Sequence, residues 1–350
     1  MKAIKLLGNE KTEMVDIPEP KPQYGELLIK IESLALCGSC IKLRYQPSMK
    51  EALEKVNNLG LQYDPECIPG HEMTGTVVEK GKNTNLNIGD RVFIFPFIAN
   101  QKSPYFANKK YKYASPLNIL GYASDGGNTE YLSVPEINCY KLPDYVSFDQ
   151  GAMLLDPVGA PYGAIKYLGG VKKNDTVLVL GTGPIGLGAI TILKYLGVDK
   201  IIAVDRVRSR INLAEELGAE KTICSEYIDT FDEIESLTEQ KGADLVLDCI
   251  GDNSSFHFSM KCARPEGRVG VIGEPGIVNN TSLSDLLIHK DLLIAGSWVY
   301  DPEKMQDLFS LIKSGLHIEN IITHRYKLSE SQEAWGLFNT YETGKVIITP

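Results

Sequence analysis

The sequence contains no long cluster of positive charge and no apolar leader. Its longest basic stretch is "KKYK", at residues 109–112, and its formal net charge is −9. Because nucleic-acid interfaces depend on lysines and arginines that neutralise phosphates, this composition disfavours a nucleic-acid partner. The first residues, "MKAIKLLGNEKTEM", are charged too early and too often for a signal peptide, so we expect a cytoplasmic protein.

The sequence also lacks internal repeats and the pattern of a disulfide framework. Its seven cysteines are an odd number, scattered along 350 residues without a secretory signal. We therefore expect reduced thiols or metal ligands. An uncharged run at residues 176–193 just reaches the length of a membrane span, but its glycines indicate another use, and we expect no membrane partner.

The pattern of apolar segments predicts an α/β protein of two domains, which the chain length also favours. Short alternating segments separated by Gly, Pro and Asn turns predict a mostly β domain at residues 1–150. Apolar runs then alternate with helical patterns, which predicts a doubly wound parallel sheet at residues 151–297. We expect residues 298–350 to complete the first domain, with Ser329 as the cap of a helix that contains Ala334.

A glycine-rich turn follows the first apolar strand of the second domain. In "VLVLGTGPIGLG" a GxGxxG pattern stands where a strand gives way to a helix. The first glycine permits a tight turn, the second lets the backbone approach a pyrophosphate, and the third lets helix and strand pack closely. The alternative is a glycine turn without a ligand. The candidate cofactor-binding residues here are Gly181, Gly183, Pro184, Ile185 and Gly186.

An acidic residue indicates which dinucleotide binds. Asp205 ends the next strand, 19 residues after Gly186, where a carboxylate accepts hydrogen bonds from the adenosine ribose. A 2′-phosphate beside this carboxylate would bring like charges together, which costs roughly 1–4 kcal/mol, so NAD is favoured over NADP. Arg206, Arg208 and Arg210 follow at once. Arg206 and Arg210 are further cofactor candidates, since arginines here accommodate a 2′-phosphate; the alternative is the solvated face of a helix.

Cysteines and a histidine with metal-ligand spacing occur in the first domain. "CGSC" contains Cys37 and Cys40, and "CIPGHE" contains Cys67 and His71. Zinc accepts all four side chains, so a closed structural zinc site is one hypothesis. The 26 residues between the two pairs form a segment longer and more helical than a usual zinc knuckle, which speaks against that hypothesis.

Several short motifs occur along the chain besides the glycine pattern. They are "CGS" at 37–39, "GHE" at 70–72, "GDRV" at 89–92, "DGGNTEY" at 125–131, "LLDPVG" at 154–159, "DCIG" at 248–251 and "IITHRYKL" at 321–328. With these motifs the chain resembles, essentially from end to end, the zinc-dependent medium-chain alcohol dehydrogenases, and it is most similar to polyol and threonine dehydrogenases. The resemblance implies a GroES-like catalytic domain and a Rossmann domain that binds NAD(P).

The same resemblance implies the residues of one catalytic zinc site. It places Cys37 and His71 on the metal, and Glu72 on the metal or directly beside it. It places Asp156 near the metal, as a ligand or as a contact of a bound water. A catalytic zinc needs three protein ligands and an open position for a substrate oxygen. Ser39 would hydrogen-bond the substrate alcohol and begin a proton relay.

The sequence departs from this family at three points. Lys42 stands where many relatives have a relay histidine. It is a candidate catalytic residue only if its pKa is lowered, and the alternative is a solvated lysine. Cys40 replaces a common aspartate and is interpreted as an incidental thiol. Residues 93–124 contain no cysteine, so we expect no structural zinc. The resemblance also places the backbones of Ile272, Gly273 and Ser297 near the nicotinamide.

These observations predict a zinc-dependent oxidoreductase that transfers a hydride from a secondary alcohol to NAD. The substrate class is a polyol, a sugar or an amino alcohol, and the sequence does not select one of them. One alternative is a zinc-free NADPH-dependent quinone or enoyl reductase on the same scaffold. Another is a non-catalytic dinucleotide-binding protein. The resemblance also implies a homodimer or homotetramer.

Overall fold

Two large β-sheets organise the protein. The computed structural model describes residues 1–58, 61–226, 230–274 and 276–350. Within these ranges the chain forms a mixed seven-stranded sheet, a parallel six-stranded sheet and two small two-stranded sheets. The predicted α/β fold, with a mostly β domain and a doubly wound domain, is confirmed.

The N-terminal part of the chain builds most of the mixed sheet. Its strands are β1 (Lys2–Gly8), β2 (Lys11–Asp16), β3 (Glu26–Ala35), β4 (Glu72–Lys80), β5 (Arg91–Ile94), β6 (Phe97–Ile98), β7 (Asn118–Ile119), β8 (Tyr131–Pro135) and β9 (Cys139–Lys141). Its helices are α1 (Gly38–Cys40), α2 (Met49–Asn58), α3 (Pro104–Ala107), α4 (Phe148–Ala152) and α5 (Gly159–Tyr167), with a π-helical turn at Ile41–Tyr45 and 3₁₀ turns at Tyr111–Tyr113 and Glu136–Asn138. Strand β3 lies inside the sheet and pairs antiparallel with both β4 and β8.

The second domain is a parallel sheet. Its strands are β10 (Thr176–Leu180), β11 (Lys200–Asp205), β12 (Lys221–Cys224), β13 (Ala243–Asp248), β14 (Ala263–Val271) and β15 (Leu293–Gly296). Its helices are α6 (Pro184–Tyr195), α7 (Arg208–Glu216), α8 (Phe231–Leu237), α9 (Asn253–Cys262) and α10 (Leu283–Leu286), with a 3₁₀ turn at Ile288–Lys290. The spatial order is β12-β11-β10-β13-β14-β15. The winding reverses between β10 and β13, and ligands of such sheets bind outside the carboxyl ends of the strands at this point.

The C-terminal segment returns to the first sheet. It contains α11 (Met305–Lys313), β16 (Ile322–Lys327), α12 (Ser331–Asn339) and β17 (Lys345–Thr349), with 3₁₀ turns at Pro302–Lys304, Ile318–Ile321 and Leu328–Glu330. Strand β17 pairs antiparallel with the end of β3, with Ile347 opposite Ala35. The last strand therefore lies beside the segment that leads to Cys37. The predicted boundaries at residues 150 and 297 stay a prediction.

Two local predictions can be compared with these elements. Ser329 does not cap α12, because it lies inside a 3₁₀ turn that precedes the helix. Glu330 closes that turn by accepting a hydrogen bond from the backbone N–H of Lys327 at 2.7 Å, so the predicted cap was wrong. The uncharged run 176–193 forms β10 and most of α6, and among the described helices none is both long and apolar enough to cross a membrane.

Candidate metal and cofactor site

Four potential metal ligands converge between the two large sheets. Cys37 follows β3 and caps α1, whereas His71 and Glu72 stand at the start of β4. Because β3 and β4 pair antiparallel with Ala35 opposite Glu72, the end of one strand lies beside the start of the other. Asp156 reaches the same place from the turn between α4 and α5.

The four side chains form a compact cluster. One ligand atom from each of Cys37, His71, Glu72 and Asp156 lies within 4.8 Å of the others. Asp156 Oδ2 accepts a hydrogen bond from Cys37 Sγ at 3.3 Å and lies 3.4 Å from His71 Nε2. Sulfur, imidazole and carboxylate donors together are a set that zinc binds, so the residues fit a zinc ion.

Glu72 is the most enclosed member of the cluster. Its side chain is completely buried, and Oε1 accepts a hydrogen bond from Lys345 Nζ at 2.7 Å. The second oxygen, Oε2, is buried and has no hydrogen-bond partner among the described residues. Burial raises the pKa of Glu72 to about 7, although Lys345 acts in the opposite direction. One oxygen is thus held by the lysine, and the other remains available to the cluster.

The protonation of the cluster depends on its own charges. Burial, together with the carboxylates of Asp156 and Glu72, raises the pKa of Cys37 to about 11. Burial opposes a charged His71, but Cys40 and Cys37 in their negatively charged forms and the hydrogen bond to Asp156 outweigh it, and the pKa of His71 rises well above its usual value. Metals bind the thiolate and the neutral imidazole, so binding a divalent cation would release protons here.

The closed four-ligand zinc site is not assembled. Cys67 Sγ accepts a hydrogen bond from Arg44 Nη1 at 3.5 Å, outside the cluster. Cys40 Sγ lies 3.5 Å from Nδ1 of His71, the ring nitrogen that faces away from Asp156. Cys40 is thus not one of the four clustered ligands, although it contacts one of them, and its role stays a prediction.

The two predicted relay residues occupy different parts of the site. Ser39 donates a hydrogen bond to Cys37 Sγ at 3.2 Å, beside the cluster. Lys42 lies at the mouth of the cleft, where Nζ donates to the backbone carbonyl of Glu274 at 3.2 Å. Partial burial by the cleft lowers the pKa of Lys42 from its usual value. Lys42 is nonetheless an exposed residue, and its part in a relay stays a prediction.

A cleft of about 530 Å³ connects the cluster with the parallel sheet. The wall near the cluster is mainly apolar, and Phe97 packs edge-on against Trp298 with ring centroids 4.8 Å apart. An apolar wall with few polar groups is typical of a small-molecule site. The apolar residues of this wall are Pro96, Phe97, Ile119, Leu155, Trp298 and Val299.

The glycine-rich turn forms the opposite end of the cleft. Gly181 has φ of +83°, which favours glycine, and a Cβ on Gly186 would lie 1.9 Å from the carbonyl oxygen of Gly181. Pro184 occupies the first turn of α6, and Ile185 lines the cleft with Gly183. The N-terminus of α6 therefore opens onto the cleft, as a pyrophosphate site requires.

The remaining candidate cofactor residues, Asp205, Arg206 and Arg210, differ in their hydrogen-bond and ion-pair partners. Asp205 Oδ2 accepts hydrogen bonds from the backbone N–H and hydroxyl of Thr182, at 2.7 and 3.1 Å. Arg206 lines the cleft and forms an ion pair with Glu226 at 3.4 Å. Arg210 also lines the cleft, and its Nε donates to the carbonyl of Thr343 at 3.1 Å.

Ile272 and Ser297 differ in their relation to the cleft. Ile272 lines it, and its position near the nicotinamide stays a prediction. The hydroxyl of Ser297 points elsewhere and donates to the carbonyl oxygen of Ala160 at 2.7 Å. The next residue, Trp298, reaches the cleft instead. The side chain of Ser297 therefore supports α5 rather than lining the cleft.

Known families match both parts of this arrangement. The model of the alcohol dehydrogenase GroES-like domain matches residues 23–144, and the model of the zinc-binding dehydrogenase domain matches residues 184–314. An L-threonine 3-dehydrogenase of Shewanella woodyi is 31% identical over 354 residues, covering 99% of each chain. The chain belongs to the zinc-binding dehydrogenase family.

Solved structures agree with this assignment. The dehydrogenase resembles 2R,3R-butanediol dehydrogenase from Bacillus subtilis, with a TM-score of 0.81 and 27% identity over 100% of this chain and 99% of the other. An alcohol dehydrogenase from Escherichia coli CFT073, solved with NADH, gives a TM-score of 0.82 and 25% identity over the same shares. The protein is therefore an oxidoreductase of the zinc-type alcohol dehydrogenase class.

Tyr122, Glu274 and Lys345 are among the cleft residues of this dehydrogenase that no sequence pattern singled out. Glu274 follows β14 at the carboxyl end of the parallel sheet, which is where such sheets bind ligands, so a signal for it existed. Lys345 is 273 residues from its partner Glu72, and no local pattern connects the two.

Proposed function

We propose that this dehydrogenase oxidises a secondary alcohol, namely a polyol, a sugar or an amino alcohol, with one catalytic zinc and NAD. The observation that carries the proposal is the cluster of Cys37, His71, Glu72 and Asp156 at one end of the cleft that holds the glycine turn. A zinc-free reductase would have no use for this set. The relatives named for L-threonine and butanediol support a secondary alcohol as substrate.

The side chains suggest a division of work. Cys37 and His71 would hold the metal, with Asp156 or Glu72 as the third protein group. When bound, zinc supplies Lewis-acid chemistry that lowers the pKa of the substrate hydroxyl. Ser39 Oγ would orient that hydroxyl and relay its proton, accepting it while giving its own hydrogen to the next group of the relay. The apolar wall around Phe97 excludes water from the reacting carbon.

The cofactor end favours NAD. Asp205 ends β11, and its carboxylate would lie next to the 2′ position of a bound adenosine ribose. Arg206 is engaged by Glu226, which weakens its capacity to bind a 2′-phosphate. NAD, when bound, accepts the hydride. The absence of a structural zinc, the homodimer or homotetramer and the cytoplasmic location remain expectations from the sequence.

The first experiment measures zinc per chain in metal-replete protein. We expect one zinc in the wild type and its loss in Cys37→Ala. Cys224→Ala is the control, because Cys224 is a half-buried thiol outside the cluster. Wild-type protein that binds no zinc would contradict the proposal and favour the zinc-free NADPH-dependent reductase.

The second experiment tests turnover. L-threonine, 2,3-butanediol and sorbitol are each supplied with NAD or NADP, and reduced nicotinamide is followed by absorbance. We expect NAD-linked oxidation of one of these classes by the wild type, with a large loss in Ser39→Ala. Zinc-loaded protein that binds NAD and oxidises none of the three would favour the non-catalytic alternative.

A further inference from the structure

A chain of buried and half-buried polar groups runs beside the metal cluster. Cys40 Sγ lies 3.5 Å from His71 Nδ1 and 3.8 Å from the hydroxyl of Tyr122. Tyr122 donates a hydrogen bond to Ser39 Oγ at 3.0 Å, and Ser39 donates to Cys37 Sγ at 3.2 Å. Two groups with no role so far, Cys40 and Tyr122, thus connect two candidate metal ligands.

The contacts of His71 divide its two ring nitrogens between different partners. Nδ1 faces Cys40 Sγ, and Nε2 faces Asp156. When Cys40 accepts a hydrogen from Nδ1, its thiol can donate to Tyr122, which can donate to Ser39. In this arrangement the lone pair that His71 can offer to a metal is on Nε2.

Burial makes this order consequential. Cys40 and Tyr122 are 1% and 4% exposed, so little water can reach their polar atoms to replace a broken hydrogen bond. His71 is also buried, and its ring lies 5.5 Å from the ring of Tyr122. The ring therefore has Cys40 as the partner of Nδ1 and Tyr122 as a neighbour that limits rotation.

We infer that Cys40 and Tyr122 are positioning residues, of which Cys40 fixes the orientation of His71 for metal binding and Tyr122 fixes the hydroxyl of Ser39 for the substrate. The role of Tyr122 rests on the proposed function. The role of Cys40 concerns metal affinity alone. Groups that hold the second nitrogen of a ligating histidine typically change metal affinity by about 10- to 100-fold.

The first test uses zinc affinity, measured by competition with a chromophoric chelator. We expect Cys40→Ala to bind zinc at least about 10-fold more weakly than the wild type. Cys40→Ser, which can donate and accept in the same place, should restore most of this loss. Cys40→Ala with wild-type affinity, or Cys40→Ser as weak as Cys40→Ala, would overturn the role of Cys40.

The second test uses Tyr122→Phe, which keeps the ring and removes the hydroxyl. We expect kcat to fall about 10-fold, with zinc content and the KM for NAD unchanged. In a Ser39→Ala background the same substitution should have no further effect, because Tyr122 acts through Ser39. Equal effects in both backgrounds would overturn the inference.

Controls separate the possible failures. Tyr45→Phe removes another buried tyrosine hydroxyl, which contacts Gln332 outside the cleft, and it should leave kcat unchanged. The coupling between Tyr122 and Ser39 is also measured from unfolding free energies, where it should be non-additive even without turnover. Wild-type protein that binds zinc and NAD but oxidises no alcohol would overturn the proposed function. In that case the unfolding free energies and the zinc affinities of the Cys40 variants would still test the roles of Tyr122 and Cys40.

Discussion

Glu72 and Lys345 form a buried ion pair that ties the metal cluster to the last strand of the chain. Lys345 is 2% exposed, Glu72 is fully buried, and their charged atoms are 2.7 Å apart. A pair of this kind contributes little net stability relative to apolar residues, but removal of one partner strands the other charge. A charged Glu72 at the cluster therefore depends on the correct folding of β17, which carries Lys345.

We predict that Lys345→Met lowers the free energy of unfolding by about 3–5 kcal/mol, because it leaves the carboxylate of Glu72 buried without a cation. The double variant with Glu72→Gln should recover much of this loss. Urea denaturation of the metal-free protein measures both, so that zinc cannot mask the effect.

A surface pair gives the control for this prediction. Lys2 and Asp16 also lie 2.7 Å apart, but their side chains are 50% and 75% exposed. Lys2→Met should change the free energy of unfolding by less than about 1 kcal/mol. Equal effects of Lys2→Met and Lys345→Met would contradict the view that burial gives the Glu72–Lys345 pair its importance.

The sequence could predict those individual site residues that lie within short motifs. Cys37, His71 and Asp156 stand in short patterns that resemble a family, and the structure brings them together. Lys345 and Tyr122 could not be found in this way. Each depends on a contact between distant parts of the chain, 273 residues apart for Lys345 and 83 for Tyr122, and such contacts leave no periodic or local signal.

The strands of the parallel sheet show how far local patterns reach. The interior of β10 is completely buried, as the uninterrupted apolar run in the sequence indicates. The GxGxxG pattern predicts both the turn after β10 and the start of α6. The same reasoning failed at Ser329, because a serine before an apolar helical pattern does not distinguish a cap from a preceding 3₁₀ turn.

Asp244 joins the starts of three neighbouring strands, at the edge of the sheet away from the ligand. It accepts hydrogen bonds from the N–H of Thr176 at 2.8 Å and from Arg264 Nε at 2.7 Å. Burial alone would raise the pKa of Asp244, but these two partners outweigh it and hold the pKa below its usual value. A carboxyl whose pKa is lowered by folding stabilises the fold at pH values above its pKa in the unfolded chain. This stabilisation is lost as the pH falls through the pKa of the carboxyl in the folded protein.

We predict that Asp244→Asn lowers the free energy of unfolding at pH 7 by about 1.5–3 kcal/mol, the usual size of a hydrogen bond to a charged group. The difference from the wild type should shrink as the pH falls below about 4, where the carboxyl of the unfolded chain is protonated. Urea denaturation at a series of pH values measures it.

Asp199→Asn is the control at the same scale. Asp199 is 61% exposed and lies 3.9 Å from Lys173, so its substitution should change stability by less than about 0.5 kcal/mol at every pH. A constant difference between wild type and Asp244→Asn from pH 7 to pH 3 would contradict the role of the charge on Asp244.

The whole molecule works as two sheets that share one cleft. The metal cluster belongs to the mixed sheet, and the glycine turn belongs to the parallel sheet. The fold of each part could be predicted from patterns within its own segment. The pairing of β17 with β3 could not be predicted in this way, because the local sequence of β17 does not indicate which strand it pairs with.

A cleft of this kind predicts that the cofactor stabilises the whole molecule. Free NAD at 100 times its Kd should stabilise the protein by about 2.7 kcal/mol, seen as a higher melting temperature in a thermal shift assay. NADP at the same concentration should give a smaller rise, because the carboxylate of Asp205 repels a 2′-phosphate by roughly 1–4 kcal/mol. In Asp205→Asn the advantage of NAD should shrink, since the amide keeps an acceptor for Thr182 without the charge. A larger rise with NADP in the wild type would contradict the proposed preference and assign Arg206 and Arg210 to the phosphate.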